Sequence, residues 1–443
     1  MRYRGRPGAR MMPGPRPAGP ALARLARTRS AHGDVALLLG GVHSRRLVLL
    51  KSLLTRLERH PGAVPAPARQ RFEDHWRLLE AAESLHPHSV RRTLDYPAVG
   101  HWLARVLAAA DGGQLAGLLD GFGAVAASAA LRAGTDFTLE LAAPGGVLAL
   151  PGIGVLGCGT PTARLTARGP AAHLDPGPVL HRAAGRVHGS GTGWRGLRPL
   201  PGSAGCLDDL DPYRAPPGGV GHTALPAAPR SATAVQPWLP RWRAALALLR
   251  FADPLRAAET TALLRCLVPL TRSGPLGHDA GQISATLRAA PGAVLCTLPD
   301  TAADLAEVLV HETQHSKLAV LHDLVPLHRA GPDAVHQVPW RPDPRPFEGV
   351  LQGTYAHLAL ADFWTRAARR DGLAPTVRNV AVARGDACRR QVAQALPLLL
   401  ESRELTPAGR EFAACMQQHL GCLQRSVGPS ATVCGTSPSS DVR

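Results

Sequence analysis

The segment that most constrains this chain is Val310-His311-Glu312-Thr313-Gln314-His315. Its histidines stand at i and i+4, so on a helix they rise from one face a single turn apart, where both imidazoles can bind one metal ion. The helix is written into the flanking sequence: Asp300 or Thr301 supplies an N-cap, and apolar positions recur at helical spacing to about Leu324. The chain has 19 histidines and 12 glutamates in 443 residues. At that composition an HExxH arises by chance only roughly 0.02 times per chain, so a metal-binding helix is the working expectation.

The rest of the chain must build around that helix. Residues 1–33, rich in Arg, Pro and Gly, read as a flexible leader. An N-terminal helical unit follows over 34–134, with apolar stripes in Val35 to Leu57, Phe72 to Leu85, Tyr96 to Ala110 and Leu115 to Ala133. His60, His75 and His101 lie in it without a partner at i+3 or i+4, and read as surface or core-edge residues. At Phe137 the period changes from 3.6 to 2. Phe137 to Leu141 and Val147 to Leu150, joined by Pro144-Gly145-Gly146, predict a hairpin that opens a β-containing middle section over 135–235. Asp208, Asp209 and Asp211 lack the spaced oxygen ligands of a calcium loop and read as a solvated turn.

Helices return with Trp242 to Phe251 and Leu255 to Leu270. A β stretch, Gln282 to Leu287 and Ala293 to Leu298 joined through Pro291-Gly292, leads into the motif helix. Further helices are expected at Phe347 to Arg369, about 376–400 and about 408–425. The metal domain thus spans 236–427, and 428–443 is a Ser-rich flexible tail. The expected fold is α+β and mainly helical, with a zincin-like motif helix after a β hairpin.

Composition narrows the function. Lys plus Arg is 50 and Asp plus Glu is 33, a formal charge of +17. Yet only Lys51 and Lys317 are lysines, and Ala, Gly and Pro are inflated together with Arg. That is the mark of GC-rich coding. The basic residues are scattered and not interleaved with aromatics, so no nucleic-acid partner is expected. Leu141 to Gly159 is uncharged but broken by Pro144 and Pro151, which argues against a membrane span. The eight cysteines form no C-x-x-C pair, and the N-terminus has no apolar signal core. A reducing cytoplasm is the expected location.

The chemistry of the metal depends on its third ligand. A metzincin extension is absent, because its Gly and His positions are Leu318 and Leu321. The helix from Phe347 offers Glu348, Gln352 and His357. Nine residues, about 900° of rotation, separate Glu348 from His357, so the two point to opposite sides. His357 shares a stripe with Val350, Gly353, Leu360 and Trp364 and is the favoured ligand, ahead of Glu348 and Gln352; His322, His328 and His336 stand behind them. The intervening Trp340-Arg341-Pro342-Asp343-Pro344-Arg345-Pro346 reads as a stiff loop whose guanidinium groups can fork a carboxylate near the metal.

The same residues resemble a bacterial family of HExxH-motif domains associated with ribosomally made, post-translationally modified peptides. The matching text is Asp304-Leu305, Val308 to His315, Lys317-Leu318, His322 to Leu327, Trp340 to Pro346 and Gly349 to His357. A weaker likeness covers Val42 to Leu57. Some members look like iron- and 2-oxoglutarate-dependent peptide β-hydroxylases, and others are attached to, or encoded beside, radical SAM maturases. The resemblance implies His311 and His315 as iron ligands, Arg341 or Arg345 on the 2-oxoglutarate carboxylate, and Glu312 as a group orienting ligands or water. It leaves the third ligand open, because some relatives carry a histidine where this chain has Gln352.

The expected activity is therefore an Fe(II)/2-oxoglutarate-dependent dioxygenase that hydroxylates a ribosomal precursor peptide. The alternatives are a zinc peptidase with Glu312 as general base, and a non-catalytic peptide-binding partner of a radical maturase.

Overall fold

The structure is a computed structural model that describes residues 19–175, 177–272, 282–333 and 335–426. Seven helices come first: α1 (Gly19–Ala26), α2 (His32–Arg59), α3 (Ala66–Leu85), α4 (Pro87–Leu94), α5 (Pro97–Ala108), α6 (Gly112–Leu119) and α7 (Phe122–Ala133). Their ends follow local chemistry. Pro87 and Pro97 sit at the first positions of α4 and α5, where a missing N–H costs nothing. Asp111 caps α6 by accepting from the Gln114 amide at 2.8 Å. Gly134, at φ 82°, closes α7 in the left-handed conformation.

Ten short strands follow: β1 (Phe137–Ala142), β2 (Val147–Leu150), β3 (Gly154–Gly157), β4 (Thr162–Arg168), β5 (Ala171–Asp175), β6 (Val179–Ala183), β7 (Arg186–Ser190), β8 (Trp194–Gly196), β9 (Arg198–Pro199) and β10 (Cys206–Leu207). Then come α8 (Arg230–Thr233), α9 (Trp238–Ala252), α10 (Pro254–Leu263), β11 (Cys266–Pro269), β12 (Ser284–Ala285), β13 (Ala293–Cys296), α11 (Ala302–Leu324), β14 (Val335–Val338), β15 (Arg341–Pro346), α12 (Phe347–Ala368), α13 (Pro375–Leu400) and α14 (Pro407–Arg425). The fold is α+β and mainly helical, as the sequence predicts.

A mixed five-stranded sheet, in the order β12-β13-β11-β10-β9, organises the molecule. β11 runs parallel to β13 and β10, while β12 and β9 pair antiparallel at the edges. Alternate residues of a strand face opposite sides, and here each side has its own core. Leu207, Leu267, Val294 and Cys296 join the core built by α9, α11, α12, α13 and α14. Cys266, Val268, Ala293 and Leu295 join the core of α3 to α7 and the antiparallel strands. Helix α2 belongs to both, with Leu38 and Val42 in the first and Leu50, Leu53 and Leu57 in the second. The helical unit expected over 34–134 is thus not one core, since the first half of α2 packs with the C-terminal helices.

Several expectations are corrected. Residues 19–33, expected in a flexible leader, are packed: Leu22, Leu25 and Ala26 are buried, and the Tyr355 hydroxyl donates to the Leu25 carbonyl at 2.6 Å. Residues 1–18 and the tail 428–443 lie outside the described residues. The expected hairpin of Phe137–Leu141 with Val147–Leu150 does not form; β1 pairs with β4, and β2 pairs with β3. Both choices remain antiparallel neighbours, so the alternation of apolar residues is kept while the partner differs. Of the helix expected over Leu255 to Leu270, the last part is strand β11, buried at all four positions. Gly112–Ala133 is apolar and long enough to cross a membrane, but 67% of its apolar window is buried as core in α6 and α7.

The acidic cluster is not a solvated turn either. Asp208, Asp209 and Asp211 are all buried. Asp208 accepts from the Tyr96 hydroxyl at 2.6 Å, and Asp209 pairs with Arg198 and Arg230 at 2.6 and 2.7 Å. Burial, then the Asp208 carboxylate beside it, pushes the Asp211 carboxyl up to about 7. The folded chain therefore holds a proton that the unfolded chain releases at its ordinary carboxylate value. The stability this contributes is complete below that value and is lost as pH rises through about 7. Urea unfolding midpoints are expected to fall from pH 5 to pH 8 in the native chain, and the Asp211→Asn variant should show a shallower fall.

Candidate metal centre

The motif helix α11 starts with a reciprocal cap. The Thr301 hydroxyl accepts from the Asp304 amide at 3.1 Å, while the Asp304 carboxylate accepts from the Thr301 amide at 3.0 Å. Three turns on, His311 and His315 present their rings edge to face, with centroids 4.5 Å apart. Helix α12 packs antiparallel against them, so His311 meets His357 at a centroid distance of 5.5 Å and His315 meets Gln352.

The hydrogen bonds select the tautomers. His315 Nδ1 donates to Gln352 Oε1 at 2.9 Å, and His357 Nδ1 donates to the Gly353 carbonyl at 2.8 Å. In a neutral ring that leaves Nε2 of each histidine as the lone-pair nitrogen. His315 Nε2 faces His311 Nε2 at 2.9 Å. Two nitrogens bound at right angles to one ion at ~2.1 Å each are about 3 Å apart, so the spacing suits a shared cation. Burial, then repulsion from His315 and His357, holds His311 well below the ordinary imidazole range. Burial pushes His357 down to about 4, with His315 adding to the effect and the Gly353 carbonyl opposing it. Both are the neutral form that a metal requires. The paired imidazoles therefore fit a divalent transition metal, with Gln352 as a group that orients His315, and the His357 ring stands next to His311 at a centroid distance of 5.5 Å.

Glu312 is buried, 1% exposed, and its carboxylate is already engaged. The Ser284 hydroxyl donates to Oε1 at 2.6 Å and the Thr286 hydroxyl to Oε2 at 2.7 Å. These two residues stand on and just after β12, two apart and so on one side of the chain. Ligand atoms of His311, Glu312 and His315 all lie within 4.8 Å of one another. Glu312 is thus close to any ion held there while being tied to the sheet edge.

The other candidates fall elsewhere. Glu348 is half exposed and lies 3.7 Å from Arg288. His322 and His328 pair with each other at a centroid distance of 4.6 Å, and His336 lies against Phe347 at 6.0 Å. The segment expected as a loop is a hairpin, β14 with β15. On it Arg341 and Arg345 both pair with Asp343, at 2.9 and 3.6 Å. Arg345 rests over Gly349, two turns of α12 away from His357. Sequence reasoning did not find Ser284 and Thr286, although their alternation in a β stretch next to the motif helix is a usable signal.

No known protein family and no curated protein matches the chain.

Proposed function

We propose that the protein is an Fe(II)/2-oxoglutarate-dependent hydroxylase acting on a ribosomally made precursor peptide. The observation that carries this reading is the His311–His315 pair, with Nε2 atoms 2.9 Å apart, flanked by the His357 ring and by a Glu312 carboxylate held by two hydroxyl donors. Three ligands on one face leave room for a bidentate 2-oxo acid and for oxygen. Bound there, iron with its co-substrate would supply the oxidation, with O2 and 2-oxoglutarate giving succinate, CO2 and one oxygen atom inserted into a C–H bond. The chain's own residues place and exclude. Gln352 and the Gly353 carbonyl fix ring orientation, and Glu312 ties the motif helix to the sheet edge. The peptide substrate and a radical SAM maturase as neighbour rest on the resemblance over residues 292–369. All seven described cysteines are unpaired, which accords with a reducing compartment such as the cytoplasm.

A zinc peptidase is the second reading, favoured by the closeness of Glu312 to both motif histidines. The two separate in one experiment. Metal-free protein is mixed with Fe(II) and 2-oxoglutarate without oxygen, and the weak visible charge-transfer band of a chelated 2-oxo acid is sought. A band in the native chain that is lost in His315→Ala supports the hydroxylase. Tight zinc binding at the same histidines with no band overturns it.

A further inference from the structure

Gly353 does two things at once. Its carbonyl accepts from His357 Nδ1 at 2.8 Å, and its missing side chain admits the indole of Trp340. A Cβ at residue 353 would lie 2.4 Å from the Trp340 ring. The indole continues across the turn of α12 and stacks on the His357 imidazole, with centroids 4.6 Å apart and planes 19° from parallel. His357 is thereby fixed from two directions, along its edge by a main-chain acceptor and across its face by an aromatic plane. Trp340 itself sits between β14 and β15, so the hairpin is anchored on the ring of the candidate third ligand.

We infer that Trp340 is a positioning residue for the metal centre, holding His357 at the angle that completes a three-histidine site. The inference rests on the three-histidine reading of the centre. An imidazole free to rotate about two side-chain torsions loses ordering entropy on binding a metal, and the stacked indole removes that cost beforehand. The stack also places an aromatic reporter next to any ion bound at His357.

Cobalt(II) is the probe. It is titrated into the metal-free full chain, and into Trp340→Phe, Trp340→Ala, Gly353→Ala and His357→Ala. Indole fluorescence and the visible d–d spectrum are read, with far-ultraviolet circular dichroism checking the fold. The native chain should bind one ion with quenching of part of its emission, which comes from seven tryptophans. Trp340→Phe keeps an aromatic plane, so it should bind with near-native affinity but lose that quenched part. Trp340→Ala should raise Kd by about 10–100-fold and shift the d–d spectrum toward that of His357→Ala, the scale seen when groups supporting ligands are removed. Gly353→Ala should behave like Trp340→Ala, with red-shifted emission from the displaced indole. A native Kd and spectrum in folded Trp340→Ala, beside a weakened His357→Ala, overturns the role of Trp340 and leaves the metal centre standing. A native Kd in His357→Ala overturns the three-histidine site as well.

Discussion

Replacing His311 or His315 with alanine is expected to raise the Kd for cobalt or zinc by roughly 10²–10³-fold. That range follows from apparent zinc-binding energies of ~10–16 kcal/mol spread over four ligands, about 2.5–4 kcal/mol each. The two Nε2 atoms already face each other at 2.9 Å, so neither variant leaves a nearby substitute for the lost nitrogen on α11. Glu312→Gln should behave differently. The amide oxygen can still accept from Ser284 or Thr286, whose hydroxyls rotate, and no ligand nitrogen is lost. Metal stoichiometry measured by elemental analysis should therefore fall in the histidine variants and stay near native in Glu312→Gln. Equal loss in all three would make Glu312 a ligand.

The second large effect is expected on the opposite side of the motif helix. Lys317 and Glu259 are 2% and 4% exposed and meet at 2.6 Å. Glu259 also accepts from Arg256 at 2.9 Å, and Lys317 donates to the Thr28 carbonyl at 3.3 Å. Burial alone would raise the Glu259 carboxyl, but Lys317 and Arg256 hold it down at about 2. Burial already pushes the Lys317 ammonium down to about 8 against the pull of Glu259, so Glu259→Gln makes it either give up its proton or stay charged in the core without its anion. Lys317→Met leaves Glu259 with Arg256 and the Gln314 amide. Each single change should lower unfolding free energy by about 3–5 kcal/mol, the usual cost of breaking a buried pair from one side. The double variant should lose less than the sum, because Lys317 and Glu259 leave together while Arg256 keeps Asp362 at 3.3 Å. Urea midpoints of the three variants test this, and strict additivity would show that the pair is not coupled.

Much of this was legible in the sequence where the signal is local. The Thr301 cap, the i, i+4 histidines and the stripe containing Gly353 and His357 are each set by spacing within one helix, and α11 and α12 appear where that spacing puts them. What depends on distant partners was not legible. Asp208 is buried because Tyr96 reaches it, and Asp209 because Arg198 and Arg230 do; nothing in the acidic run itself announces those partners. Leu22 and Leu25 are too few to show a period among arginines and prolines, yet the core formed by later helices takes them in. Strand partners failed for a related reason. The apolar alternation of β1 and β2 fixes which side faces inward, but not which neighbour completes the ladder. At the centre, Ser284, Thr286 and Trp340 act through contacts made only after the sheet edge and the hairpin have reached the helices.

The prolines of β15 bear on how an extended chain can pass this centre. Pro342, Pro344 and Pro346 alternate with Arg341, Asp343 and Arg345, and a strand's alternate amides point to opposite sides. Proline has no amide hydrogen, so β15 can donate only from Arg341, Asp343 and Arg345, and its register against β14 is itself irregular between His336 and Val338. A peptide backbone arriving from solvent finds carbonyls there but not the regular ladder that would let it zip on as another strand. The hairpin next to Trp340 is in that sense a non-stick rail, able to border a guest chain without capturing it or a second copy of itself.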